Sequence, residues 1–449
     1  MKAGTHPSNG LGHKLLLRKK KMFRGVAQME IGPLIKLHRI KQNMTQEDLA
    51  AGIVSESYLS KIENQKTDAS PEVIALLCER LGIQLNAENE DMIKEKAEEW
   101  FALLYVTKSR EEQKARFQEL EQLFKNSNSD YEILFEIHKV RYYLVSNDEQ
   151  KTKEQIEKLR NLEYSFDSKQ NFFWNKYLGN YYQINEDDNV KALHYYEIAE
   201  SLIKNIELTE TDIADIHYTL AVTHTRLINN LKSMEHANKA LDVFRQNYNF
   251  VRCAQCHILL GISYRRMHMI DMAIKQYNMA KHLGEITENS EVIQLSNHNL
   301  GYLHSTLGES EEAIRYLEQA YAMGSNVTAT QINTVISLIK EYYNSGRLNE
   351  AKEILEQNYQ LVEELPVHNK RTFKLELDVY KYAIYKEYNQ LEHTIINEFL
   401  PYLEEKSDYA NIVNYANMIG EHFEKLKKYK NAAHFYKLAS SSYQKLLKF

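Results

Sequence analysis

An all-α fold is predicted for this chain on three observations. Glycine and proline are scarce, at 15 and 5 of 449 residues, so punctuation by the usual turn residues is sparse. Charged residues make up 26% and tyrosines number 31, which suits long amphipathic helices with aromatic packing. Self-similar segments recur through the C-terminal part, which predicts an array of helical units behind a separate head.

Composition also narrows the setting. Three cysteines cannot build a disulfide framework, and no run of about 18 apolar residues exists to span a bilayer. A reducing, cytoplasmic location is expected, with no membrane partner. Residues 1–28 hold a basic cluster, Arg18 to Lys21, with no apolar stretch after it. They are expected to be a disordered arm or non-native leader, with Met29 beginning the folded part. Residues 29–80 carry 6 Lys and Arg against 8 Asp and Glu, so charge alone does not predict a nucleic-acid binder.

Local pattern is more informative about the head, taken as 29–86. "EIGPLIKLHRIKQN" puts Ile31, Leu34, Ile35 and Leu37 on one helical face, with Lys36, Arg39 and Lys41 near its edge. Thr45 caps a short second helix, with Asp48 completing a capping-box pattern before Leu49 and Ile53. Ser55 caps a third, in which Leu59 and Ile62 face inward while Glu56, Ser57, Tyr58 and Lys61 face outward. "SPEVIALLCERLG" opens a fourth with a Ser cap and Pro71 at its first position, and closes on Gly82.

With those elements in place, residues 31–83 resemble the helix-turn-helix of the phage-repressor and Xre class. Thr45-Gln46-Glu47, Leu49-Ala50, Leu59, Ile62-Glu63-Asn64, Ser70-Pro71 and Leu76 carry the resemblance. In that geometry the third helix enters the major groove of double-stranded DNA, and the second rests on phosphates. The resemblance implies Gln46 at phosphate and Ser55, Glu56, Ser57, Tyr58 and Lys61 at the groove, with Lys66 and Arg39 as further phosphate contacts. One such domain covers half an operator, so a homodimer or homotetramer is expected, assembled by the rest of the chain.

The remainder, taken as a linker helix over 87–108 and an array over 109–449, fits the tetratricopeptide pattern. Three units share identical spacing: Leu260-Gly261, Tyr264, Ala273, Tyr277 and Ala280; Leu300-Gly301, His304, Ala313, Leu317 and Ala320; Ile419-Gly420, Phe423, Ala432, Tyr436 and Ala439. Looser units carry Gly179, Tyr182, Ala192, Tyr196 and Ala199; Ala221, His224, Ala237 and Ala240; and Tyr342, Gly346, Ala351 and Leu355. A weaker unit is expected within 371–405, and one or two diverged ones within 95–165. Starts at 179, 221, 261 and 301 give a period near 40, which predicts longer helices than in the standard repeat of about 34. Gly and Ala let paired helices approach while the large residue fills the gap between units, and the stack winds into a right-handed superhelix.

Such an array presents a concave face lined by first helices. Its outward positions read Asn180, Gln183, Tyr218, Gln255, Arg265, His298, Tyr302, Asn333, Tyr343, Asn414 and Asn417. Amides both donate to and accept from an extended backbone, so a short peptide is the expected ligand.

Other motifs carry less. "CAQCH", Cys253 to His257, has half of a zinc or haem spacing but falls inside a first helix with no second Cys pair, and packing explains it. No phosphate loop, G-x-S-x-G elbow or H-E-x-x-H is found, so no cofactor, no metal and no enzymatic activity are expected. A repressor-type head on a long tetratricopeptide array resembles the peptide-pheromone quorum-sensing regulators of Gram-positive bacteria. "MEIGPLIKLHRIKQNMTQEDLA" and "SYLSKIENQK" are most similar to the neutral-protease regulator branch of the Bacillus group. The resemblance implies a re-imported signalling peptide in the groove, an altered oligomeric or domain arrangement, and changed operator binding. It also implies an alternative, that the array binds a response regulator of the sporulation phosphorelay and restrains phosphotransfer, or serves as a scaffold for another protein.

Overall fold

Short polar side chains placed just ahead of apolar runs start the helices of the head. The computed structural model describes residues 31–83, 90–105, 110–125, 129, 131–324, 328–365 and 367–446; the arm expected over 1–28 lies outside them. Helix α1 spans Ile31–Lys41, α2 Gln46–Ala50, α3 Glu56–Glu63 and α4 Pro71–Arg80. Thr45 and Asp48 form the reciprocal capping box on α2, while Ser55 and Ser70 each accept from the third backbone N–H of the helix they open. Ile35, Leu49, Leu59, Ile62 and Leu77 close the core between these helices. Leu76, counted in the sequence signature, is 48% exposed, and its neighbour Leu77 takes the buried position.

Contacts divide the chain into two units, 1–209 and 210–449, so the head shares its unit with the first helices behind it. Helix α5, Glu90–Leu103, occupies the segment read as a linker, yet it packs with α6, Arg110–Lys125. The reason is Trp100, fully buried, whose indole N–H donates to Gln113 O at 3.0 Å and whose ring meets Phe101, Phe117, Phe135 and Tyr142. A free linker would leave that ring in water. Helices α7 (Tyr131–Val145) and α8 (Glu149–Arg160) form the next pair, and α9 (Ser168–Ile184) with α10 (Asn189–Leu202) the last in this unit.

The second unit continues as α11 (Glu210–Arg226) with α12 (Asn230–Gln246), α13 (Phe250–Arg266) with α14 (Ile270–Ile286), and α15 (Ser290–Thr306) with α16 (Ser310–Met323). Then come α17 (Ala329–Asn344) with α18 (Leu348–Asn358), α19 (Val367–Ile384) with its broken partner, and α22 (Tyr409–Lys425) with α23 (Tyr429–Leu446). Helices α11 to α15 are each 17 residues long, which accounts for the 40-residue spacing.

Close approach of each pair rests on the positions singled out by the pattern. A Cβ built on Gly261 would lie 2.4 Å from the Tyr277 ring, and Gly179, Gly301 and Gly420 stand in the same relation to Tyr196, Leu317 and Tyr436. The unit expected in 371–405 is present without that signature. Its second half is α20 (Tyr388–His393), a π turn (Thr394–Phe399) and α21 (Leu400–Glu405). Pro401 lies two residues past the end of the π turn; lacking an N–H, it cannot sustain the regular ladder, and the widened turn accommodates the break. Cys253 and Cys256 are buried in the core of α13, and burial pushes the Cys256 thiol up to about 12, so the "CAQCH" stretch is packing.

Candidate functional site

The outward face of α3 is set by its cap. Ser55 Oγ accepts from Tyr58 N–H at 3.3 Å, and the Tyr58 hydroxyl donates to Asp68 O at 3.2 Å, which ties the loop after α3 to the helix. Glu56, Ser57, Lys61 and Lys66 are exposed and share this surface. Two of the predicted phosphate contacts are drawn inward. The Arg39 guanidinium grips Glu63 in a fork, at 2.6 and 2.9 Å, and also donates to Met44 O at 2.9 Å. Gln46 Nε2 donates to the same carboxylate at 2.7 Å. Glu63 is fully buried, and these donors satisfy its carboxylate oxygens inside the head. Arg39 is therefore a brace between α1 and α3, and Gln46 sits half-buried at the edge of that brace.

Behind the head, the C-terminal end of α1 meets two buried acids of α7 that sequence reasoning passed over. Glu132 lies 2.5 Å from Lys41 Nζ and 2.7 Å from His38 Nε2. Glu136 lies 2.9 Å from Lys41 and from Lys158, and 3.6 Å from Lys139. Gln155 donates to it as well, at 2.8 Å. Burial by itself would raise the Glu136 carboxyl, but Lys139, Lys41 and Lys158 outweigh it and hold the group well below its ordinary value. The cluster seats the head on the helices that follow it.

In the second unit, side chains bridge each first helix to the next. Arg252 of α13 meets Asp215 of α11 at 2.5 Å and lies 3.9 Å from the Tyr218 ring centroid. It also donates to Gln255 at 3.1 Å. Arg265 of α13 lies over Tyr302 of α15 at 4.6 Å. From α15 to α17 run Gln294 to Gln331 at 2.5 Å, His298 to Thr334 at 3.1 Å, and Ser305 to Glu341. Tyr343 meets Tyr380 of α19 edge-on, and Glu376 of α19 accepts from the Tyr415 hydroxyl of α22 at 2.9 Å. Polar, cation–π and aromatic contacts thus form a ladder that links the first helices from α11 to α22.

Of the predicted groove residues, Tyr218, Gln255, Arg265, His298, Tyr302 and Tyr343 belong to this ladder. Asn333 and Asn414 are exposed beside it, and Asn417 is half-buried. Asn180 and Gln183 differ: both are buried in the first unit, where the Asn180 amide faces the Tyr196 hydroxyl at 2.7 Å. Asn180 thereby joins α9 to α10. Asp215, Arg252, Gln294, Gln331, Thr334, Glu341 and Glu376 were missed, because turn-by-turn outward positions do not reveal which side chain reaches across to the next helix. Among the histidines, His217 and His236 have Nδ1 atoms 3.2 Å apart. Burial pushes both down to about 4, so as neutral rings one donates to the other.

The geometry agrees with what this chain is similar to. A helix-turn-helix family model matches residues 35–87, and a tetratricopeptide repeat model matches 296–323. The transcriptional activator NprA of Geobacillus stearothermophilus is 34% identical over 402 residues, covering 87% of this chain and 98% of NprA. The solved structure of a Rap protein complexed with competence and sporulation factor shares the fold, with a TM-score of 0.67 at 19% identity over 80% of this chain and 99% of that one. So does NprR in complex with its cognate peptide NprX, with a TM-score of 0.60 at 19% identity over 78% of this chain and 98% of that one. A relative this similar over nearly its whole length shows that this chain, with its helix-turn-helix and tetratricopeptide matches, belongs to the NprA family of transcriptional regulators.

Proposed function

We propose that the chain is a cytoplasmic quorum-sensing regulator, which holds a short signalling peptide along the first-helix face of its second unit and thereby alters operator binding by the head. One observation carries this reading: the ladder of polar and aromatic contacts from α11 to α22, with the amides of Gln255, Gln294, Asn333 and Asn414 on or beside it. An extended peptide exposes its own N–H and C=O groups at every residue, and a face of alternating donors and acceptors satisfies them without secondary structure. Several ladder residues are satisfied by one another across neighbouring helices, so a ligand that inserts among them changes how consecutive helices are joined. That couples occupancy to the spacing of the pairs.

At the other end, Ser57, Lys61, Glu56 and Lys66 form the reading surface, capped by Ser55 and supported from within by Arg39, Gln46 and Glu63. A single copy of this weakly charged surface binds little, and a dimer or tetramer places two on one operator. The similarity to NprA, and a shared fold with NprR carrying NprX, support the reading. Titration of fluorescein-labelled heptapeptide pools against the purified chain tests it. Saturable binding is expected; none below about 1 mM would refute the sensor reading.

A further inference from the structure

Where the ladder carries an arginine, a carboxylate answers it, with one exception. Arg252 has Asp215. Among the described residues, Arg265 has no carboxylate oxygen within 4.0 Å. Its guanidinium lies on the face of Tyr302, a ring 39% exposed, and its Nε–H is buried without a hydrogen-bond partner. The Tyr277 phenol lies beside the guanidinium, but it is a neutral oxygen and leaves the charge unanswered. Arg266 spends its guanidinium on Thr225 O at 2.5 Å, and His298, pushed down to about 4 by burial and by Arg265, is neutral at pH 7.

A guanidinium is a cation with five N–H donors and no acceptor of its own. The Tyr302 ring orients it and returns part of the lost hydration, but a ring face supplies no acceptor for an N–H. Partly desolvated donors left unmatched are costly, and the acceptor that matches a guanidinium fork is a carboxylate. We infer that Arg265, stacked on Tyr302, receives a carboxylate of the bound peptide. This rests on the peptide reading above and adds to it the chemistry of one ligand position: either an acidic side chain or a free C-terminus lies at the α13–α15 rung.

The test uses the full chain and fluorescence polarisation with labelled heptapeptide pools. In each pool one position is fixed as Asp or Asn, and each pool is made with a free or an amidated C-terminus. One fixed-Asp pool, or the free-carboxyl series, is expected to bind at least about tenfold more tightly than its Asn or amide counterpart. The first outcome places an acidic side chain at Arg265, the second the terminus. Arg265→Gln should abolish that preference while Arg265→Lys keeps part of it, with the melting curves of both variants unchanged. Peptide binding with equal affinity for the acid and neutral pools, or a preference that survives in Arg265→Gln, would overturn the inference and leave the sensor reading standing. Binding of no pool at all would remove both.

Discussion

Lys41→Met addresses how the head is held. In the structure Lys41 answers two buried carboxylates at once, Glu132 at 2.5 Å and Glu136 at 2.9 Å, and those acids are 0% and 2% exposed. Taking one partner from a buried pair costs about 3–5 kcal/mol, mostly through the charge left behind. Two features reduce that here. The Lys41 side chain is itself 28% exposed, and Glu136 keeps Lys139 and Lys158 while Glu132 keeps His38. A loss of about 2–3 kcal/mol in the first unit is therefore expected. Hydrogen exchange is the assay that resolves it by segment. Amides of α1 and α7 should exchange faster by on the order of 30-fold or more, while α13 to α16 are unaffected. Unchanged protection of α1 and α7 would refute the claim that this cluster seats the head.

Gly261→Ala should destabilise the second unit. Alanine gains about 1 kcal/mol over glycine in helix propensity, but its Cβ would lie 2.4 Å from a fully buried Tyr277 ring, and overpacking costs about 1–3 kcal/mol, so a net loss of up to about 2 kcal/mol is expected in urea melts. Glu376→Gln should have a pH-dependent effect. Burial raises this carboxyl from 4.5 to about 7, so the folded state binds the extra proton and stability declines as pH rises through that window. The amide removes the penalty: little change at pH 5, and a gain on the order of 2 kcal/mol at pH 8, checked by denaturation at both. Ser57→Ala with Lys61→Ala should abolish operator binding in a mobility-shift assay, while the thermal midpoint stays within a degree or two.

How far the sequence could be read depended on whether a feature was local. Thr45, Ser55 and Ser70 announce their helices because a cap acts within three residues, and all three perform as read. The Gly and large-residue pairs were legible because close approach restricts both positions, as Gly261 and Tyr277 illustrate. Leu76 and Leu77 are adjacent leucines, and an apolar pattern does not choose between them. Arg39 reads as a surface cation until Glu63, 24 residues away, is seen to be buried beside it. Glu132 and Glu136 look like the solvated face of an ordinary helix, since only the seated head turns that face inward. The repeat within 371–405 is harder to read because its second helix is broken by a π turn, which shifts the regular spacing of the pattern. Arg265 was expected to line the groove, but that no carboxylate oxygen lies within 4.0 Å of it among the described residues appears only once its neighbours are placed.

In the proposed mechanism, ligand on the first-helix face alters what the head does with DNA. The direct measurement is the affinity of the full chain for a duplex enriched by that chain from a random-sequence pool, taken with and without a saturating heptapeptide from the binding screen. A change of about tenfold or more in DNA affinity is predicted, since a differential of about 1.4 kcal/mol between states is the least that would act as a switch. Equal affinity in both conditions, with peptide shown to be bound, would contradict it.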